Sequence, residues 1–168
     1  MKRQWLSLFQ TPVGSGGVAA SHRGVTQIWL PGDPELDILF KKLEPSAISG
    51  QVSRQLEQYF NKELKQFDVA IDLTGLSNFQ QRIAQLLLQI PYGTTRTYGE
   101  LAVLAGAPNA ARAVGRAVAA NPLPIIIPCH RVLASSGALT GYSAAGGISM
   151  KRFLLLLEAA DFRGKRIT

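Results

Sequence analysis

One cysteine, Cys129, and two histidines, His22 and His130, stand in a chain of 168 residues. A lone thiol closes no internal disulfide, and one Cys with two His falls short of the four ligands of a structural zinc site. The expectation is a protein with no metal and no cofactor, whose thiol is either buried filler or chemistry. Long apolar runs are missing too. No window approaches the ~18 residues of a membrane span, and Met1 to Trp5 leads into no apolar signal core, so a cytoplasmic protein with no membrane partner is expected. Acidic residues are scarce in one half only. Residues 1–90 carry nine Lys/Arg against eight Asp/Glu, but residues 91–168 carry nine against three, which places most of the net +7 in the half holding Cys129. Such a half suits a polyanion such as nucleic acid, and equally a plain need for solubility.

What is present suffices for a core. Hydrophobic residues make up 46% of the chain, enough for one domain or a domain with a smaller companion. Trp5 to Phe9 alternates, Thr11 to Gly14 is turn chemistry, and Gly17 to Ala20 followed by Gly24 to Leu30 reads as a meander ending at Pro31-Gly32. Helical spacing follows over Pro34 to Leu43 and Ser49 to Phe67, and Val69, Ile71 and Leu73 alternate as a strand. His22, after Ser21, reads as a solvated turn residue; nothing in residues 1–75 reads as catalytic.

The second half is helical. Ser77 with Gln80 and Thr97 with Glu100 form capping boxes, the first before the stripe Phe79, Ile83, Leu86, Leu87 and Ile90, the second before Tyr98 to Ala105. Gly106 ends that helix, and Pro108 to Ala120 reads as another, which makes a candidate helix-turn-helix. On the second helix Ala111, Val114 and Val118 share a core face, while Arg112 and Arg116 lie four apart on a face of alanine and glycine. That face is either packed on its neighbours with two solvated arginines, or enters a nucleic-acid groove with one arginine as a probe.

The stretch Pro128 to Val132 joins the thiol to an imidazole. Pro122, Pro124 and Pro128 limit the backbone around Ile125 to Ile127, so an extended segment presenting Cys129 at a rigid exposed position is expected. In such a segment Cys129 and His130 point to opposite sides, and a bend or a bridging water would have to carry the proton. Glu158 follows a helix opened by Ser149, where a carboxylate opposes the macrodipole. It is either solvated or held by a specific partner, with His130 the first choice.

The runs TYGELA at 97–102, AARAVG at 110–115, NPLPIIIPCHRV at 121–132 and Gly141-Tyr142-Ser143 together resemble the O6-alkylguanine-DNA alkyltransferases, the methylated-DNA-protein-cysteine methyltransferases. The resemblance covers residues 77–158, while residues 1–75 are similar only in length and strand-rich layout. It implies an α/β fold: a small strand-rich α/β domain (RNase H-like) over residues 1–75, and a mainly helical domain with a helix-turn-helix over residues 76–168. It also implies direct, irreversible transfer of an alkyl group from O6-alkylguanine, and from O4-alkylthymine, in duplex DNA to Cys129. By the same resemblance His130 takes the thiol proton through a water, Glu158 orients His130, Asn121 braces the turn before the active-site segment, and Tyr98 helps to rotate the phosphate and meets guanine N3. Arg112 would replace the flipped nucleotide, with Ala110, Ala111, Ala113 and Arg116 along the DNA-facing helix in the minor groove. Val118, Val132, Tyr142 and Ser143 would shape the base pocket. A monomer with duplex DNA as its partner is implied. Ala144 to Gly147 exceeds the family's usual loop by about two residues, and Arg152-Phe153 replaces a common Glu-Trp, so the pocket rim is expected to differ. A non-catalytic damage-binding relative, which would lack the cysteine, and a cysteine hydrolase, which would not need Arg112, are the competing readings.

Overall fold

The computed structural model describes residues 4–160; the basic tail 163–168, read from the sequence as loose, lies outside them. The fold is a mixed α/β one of two compact units that divide between Gly75 and Leu76, with Ala144–Gly146 falling with the first.

In the first unit β1 (Trp5–Thr11), β2 (Gly14–Ala20) and β3 (Val25–Trp29) form an antiparallel meander in the order β1-β2-β3. Thr11 closes the first turn by donating its hydroxyl to the Gly14 carbonyl at 2.8 Å, and Gly14 itself takes φ 128°, a conformation open mainly to glycine. The small residues of β2 make room for one large one: a Cβ on Gly16 would lie 2.1 Å from the ring of Phe9, which is fully buried. After the single turn α1 (Leu36–Leu39) comes α2 (Ala47–Phe60), opened by a reciprocal Ser46/Ser49 capping box and packed on β1 through Val52, Leu56, Tyr59 and Phe60.

Three expectations for this unit are corrected. The helix expected over Pro34 to Leu43 is one α turn, Leu36–Leu39, followed by a 3-10 turn, Phe40–Lys42, which ends where Leu43 goes extended with ψ 123°. The second helix stops at Phe60 rather than Phe67. Lys62 swings to φ 62°, the Glu63 N–H donates back to the Gln58 carbonyl at 2.8 Å, and the reversed chain brings Phe67 to 5.7 Å from the Tyr59 ring. Finally, the strand expected over residues 69–73 is a single parallel bridge, Val25 to Ile71. Asp72 ends it by taking the Ser21 and Thr74 hydroxyls at 2.6 and 2.7 Å, and those bonds, Ser21 first, hold its carboxyl at about 2.

In the second unit α3 (Asn78–Leu88) and α4 (Tyr98–Leu104) begin at the Ser77/Gln80 and Thr97/Glu100 capping boxes that the sequence announces. Both pack with α5 (Ala111–Ala119), and a short parallel pair, β4 (Arg96–Thr97) with β5 (Val132–Leu133), ties the start of α4 to the segment after Cys129. The last element is α6 (Gly147–Leu157). Two boundaries differ from expectation. α5 starts at Ala111, not Pro108, because residues 107–110 form a turn closed by the Ala110 N–H on the Ala107 carbonyl at 2.9 Å. α6 starts at Gly147, two residues before Ser149. Among the described residues no helix is long and apolar enough to cross a membrane.

Candidate active site

Cys129 is neither extended nor exposed. Cys129–Arg131 is a 3-10 turn, and Cys129 is 7% exposed, which corrects both the strand reading and the exposed thiol. The cause lies just upstream. Ile125, a β-branched residue, is held at φ 77° and is buried, a strained conformation that persists only where its surroundings fix it. Asn121 fixes it: its side chain donates to the Ile127 carbonyl at 2.8 Å and accepts from the Leu123 N–H at 2.9 Å. With Pro122, Pro124 and Pro128 this bracing turns the chain inward. Burial pushes the Cys129 thiol up, while the Asn121 amide and the charge of Lys151 act to lower it.

The turn also resolves how His130 is used. His130 is fully buried, and its Nε2 lies 2.7 Å from Oε1 of Glu158, which follows α6 and is itself buried. Glu158 therefore has the specific partner its position required, and it has another. Arg131 grips the same carboxylate with Nε on Oε2 at 2.9 Å and Nη2 on Oε1 at 2.8 Å, its Nη1 donates to the Ile90 carbonyl at 2.6 Å, and the Gly93 N–H donates to Oε2 at 3.2 Å. Burial opposes a charge on Glu158, yet the bonds from His130 and Arg131 prevail and hold the carboxyl well below the usual range. For His130 burial dominates the other way and makes the imidazole a weaker base than usual, against the pull of Glu158. Its other nitrogen, Nδ1, is buried and has no hydrogen-bond partner.

Between α4, α5 and the loop after Thr140 lies a pocket of ≈ 450 Å³ lined by Tyr98, Gly115, Ala119, Thr140, Gly141, Tyr142 and Ser143. Three of the sequence-derived residues thus come together on its wall. The Tyr98 hydroxyl reaches the Gly141 carbonyl at 3.4 Å and the Ser143 hydroxyl donates to the Ala119 carbonyl at 2.7 Å, pinning the loop to α4 and α5. Tyr142 turns its hydroxyl inward, buried and near Cys129; burial first, then the sulfur, raise its pKa well above the ordinary value and keep it protonated. Val118 and Val132 are not on this wall. Val118 faces inward with Val114 one helical turn away, and Val132 belongs to β5, so both are core. On α5 Arg112 and Arg116 are exposed, as is Ala111, with Ala110 and Ala113 half-buried beside them. His22 is exposed on a bend, as the sequence suggested.

The grip of Arg131 on Glu158 and the burial of Lys151 are what sequence reasoning passed over. The signal for the second was present: Lys151, Leu154, Leu155 and Glu158 follow i, i+3, i+4, i+7 spacing and so share a face, and a lysine on an apolar stripe needs a reason. Among the described residues no group of three or more His, Cys, Asp or Glu could hold a metal ion.

A buried thiol on the same turn as an imidazole that a carboxylate holds, near a tyrosine of the pocket wall, fits a protein built for nucleophilic attack by cysteine. Its kind is settled by comparison. The DNA-binding domain of 6-O-methylguanine DNA methyltransferase matches residues 78–160. The chain is 50% identical over 148 residues to the methylated-DNA–protein-cysteine methyltransferase of Mycobacterium tuberculosis, covering 88% of this chain and 84% of that protein. It is 41% identical over 157 residues to the protein of the same name from Methanosarcina acetivorans, covering 93% and 99%. The crystal structure of Mycobacterium tuberculosis O6-methylguanine methyltransferase is similar with a TM-score of 0.80 and 46% identity, covering 94% of this chain and 93% of that one. A DNA complex of the same organism's OGT reaches 0.77 at 43% identity, covering 92% of each. The chain belongs to the methylated-DNA–protein-cysteine methyltransferase family.

Proposed function

We propose that this protein repairs DNA by moving an alkyl group from O6 of guanine, and from O4 of thymine, onto Cys129 in a single, irreversible event. The observation that carries this reading is the state of His130: Nε2 is engaged by Glu158, and Nδ1 is buried without a partner on the same turn as the protein's one thiol. That nitrogen is where the thiol proton goes, through a water. The sulfur then attacks the alkyl carbon: the S–C bond forms, the C–O6 bond breaks, and the base leaves with the bonding electrons as an anion spread over O6 and the ring nitrogens. Tyr98 meets that charge at N3. Burial, and then the field of Cys129, raise the pKa of its hydroxyl, so it stays a donor at neutral pH. A donor placed where charge develops only in the transition state raises the rate rather than the affinity. The Ser143 N–H is aimed at O6.

For duplex DNA to reach this pocket the base must leave the stack, at a cost of a few kcal/mol that is least for a weakened pair such as alkylguanine. We read α4, the turn and α5 as a helix-turn-helix laid in the minor groove. The small face of α5, Ala110, Ala111, Ala113 and Gly115, lets its backbone approach the groove floor, with Arg112 filling the gap left by the base and Arg116 near phosphate. Affinity is then phosphate-driven, insensitive to sequence and weakened by salt. The protein works as a cytoplasmic monomer, and its meander with α2 laid upon it supports an RNase H-like first domain over residues 1–75.

Intact mass after incubation with DNA containing O6-methylguanine tests the reading. A gain of one methyl group that Cys129→Ser abolishes is expected. DNA binding without any mass change would sink it and leave a damage-binding protein; acyl-substrate hydrolysis would point to a cysteine hydrolase.

A further inference from the structure

Lys151 is the one lysine on α6 and is fully buried. A buried ammonium is expensive unless it is paired, and among the described residues Lys151 has no carboxylate partner. Its hydrogen bonds go to two backbone carbonyls instead: Val132, directly after the active-site turn, at 2.5 Å, and Thr140, at the near end of the pocket loop, at 3.0 Å. An ammonium has three donors, and these acceptors use two. The charge of Lys151 also reaches the sulfur, since ammonium and thiolate each favour the charged form of the other. Burial takes the lysine down to about 8, which still leaves it charged at neutral pH.

We propose that Lys151 is a positioning residue for alkyl transfer: its ammonium ties the active-site turn to the pocket loop and holds a fixed positive charge toward the Cys129 sulfur, which favours the thiolate. This rests on the alkyl-transfer reading and adds to it, because His130 becomes a cation only by taking the thiol proton, whereas Lys151 is charged before the proton moves. While His130 is neutral, Arg131 is matched by Glu158, so among the described residues of the site Lys151 is the unmatched cation before the proton moves. The other ionisable groups facing this space are His130 on the turn, Tyr142 on the loop and Tyr98 on α4. None of them is positively charged while His130 is neutral. A cation beside a thiolate lowers its pKa by about one to three units.

The test uses the whole chain without DNA. Cys129 is alkylated with iodoacetamide from about pH 5 to about pH 10 and followed by intact mass, in the wild type, Lys151→Met and Lys151→Arg. The titration midpoint should rise by about one unit or more in Lys151→Met and stay near the wild-type value in Lys151→Arg. Methyl transfer from DNA at neutral pH should fall about tenfold or more in the Met variant and recover in the Arg variant, with DNA affinity unchanged in both. An unmoved midpoint in folded Lys151→Met overturns the proposal, and it does so whether or not the wild type transfers methyl groups. A second measurement needs no lysine variant. By carbon NMR of the lysine side chain, the midpoint of Lys151 should be lower in Cys129→Ser than in the wild type, and equal midpoints overturn the proposal as well.

Discussion

Removing the Arg131 guanidinium should unmake the active site from beneath. The side chain makes two bonds to the Glu158 carboxylate, at 2.9 and 2.8 Å, and one to the Ile90 carbonyl at 2.6 Å, and its guanidinium carbon lies 5.8 Å from the centre of the Tyr92 ring. Arg131→Met keeps the stem but takes the guanidinium away from a buried carboxylate. Breaking such a pair costs about 3 to 5 kcal/mol, a factor of roughly 10² to 10³ or more in the opening equilibrium. Tryptophan fluorescence will not see it, because Trp5 and Trp29 both lie in the first unit. Hydrogen exchange of the segment 125–133 is the suitable assay. The sign with pH follows from Glu158. Its folded pKa is depressed, so the stability it contributes is complete above its unfolded value of about 4.3 and is lost as pH falls below that. The gap between wild type and variant should therefore be full at neutral pH and close below about pH 4. Combining Arg131→Met with Glu158→Leu should restore part of the loss, since a buried pair replaced by apolar groups is often neutral. A loss under about 1 kcal/mol at neutral pH, the worth of an exposed pair, would refute the view of Arg131 as the partner that makes a buried Glu158 possible.

Two other changes test separate parts of the molecule. Lys62→Gly relieves the left-handed φ of 62° that ends α2 and should stabilise the first unit by about 1 kcal/mol, visible in its tryptophan-monitored unfolding; no gain would mean that the lysine side chain stabilises this turn by a contact of its own. Arg112→Ala should slow repair of duplex DNA far more than reaction with the free modified base, and equal losses on both would contradict its place in the groove.

How legible the molecule was in its sequence depended on range. Capping boxes act over three residues, and Ser77 with Gln80 and Thr97 with Glu100 stand where they were read. Helix ends set by returning chain were not readable: α2 stops at Phe60 because Phe67 packs back on Tyr59, a contact that periodicity cannot announce. The same holds at the thiol. Proline spacing marked 122–128 as special, but the positive φ of Ile125, and with it the inward turn that buries Cys129, comes from Asn121 reaching six residues along the chain. Glu158 stood out because it opposes its helix, and it has its partners; that Arg131 is the other half of that carboxylate's environment rests on a contact across 27 residues, which no local pattern announces.

The depth of Cys129 has one more consequence. A catalyst that turns over can lose a fraction of its molecules and keep working, but here each molecule acts once, so an oxidised or stray-alkylated sulfur is one lesion left in the genome. At 7% exposure the sulfur meets peroxide and small electrophiles more slowly than a thiolate at the surface would. The inward turn at Ile125 thus acts as storage, preserving a single-use reagent during the interval between its synthesis and the one base it will ever meet.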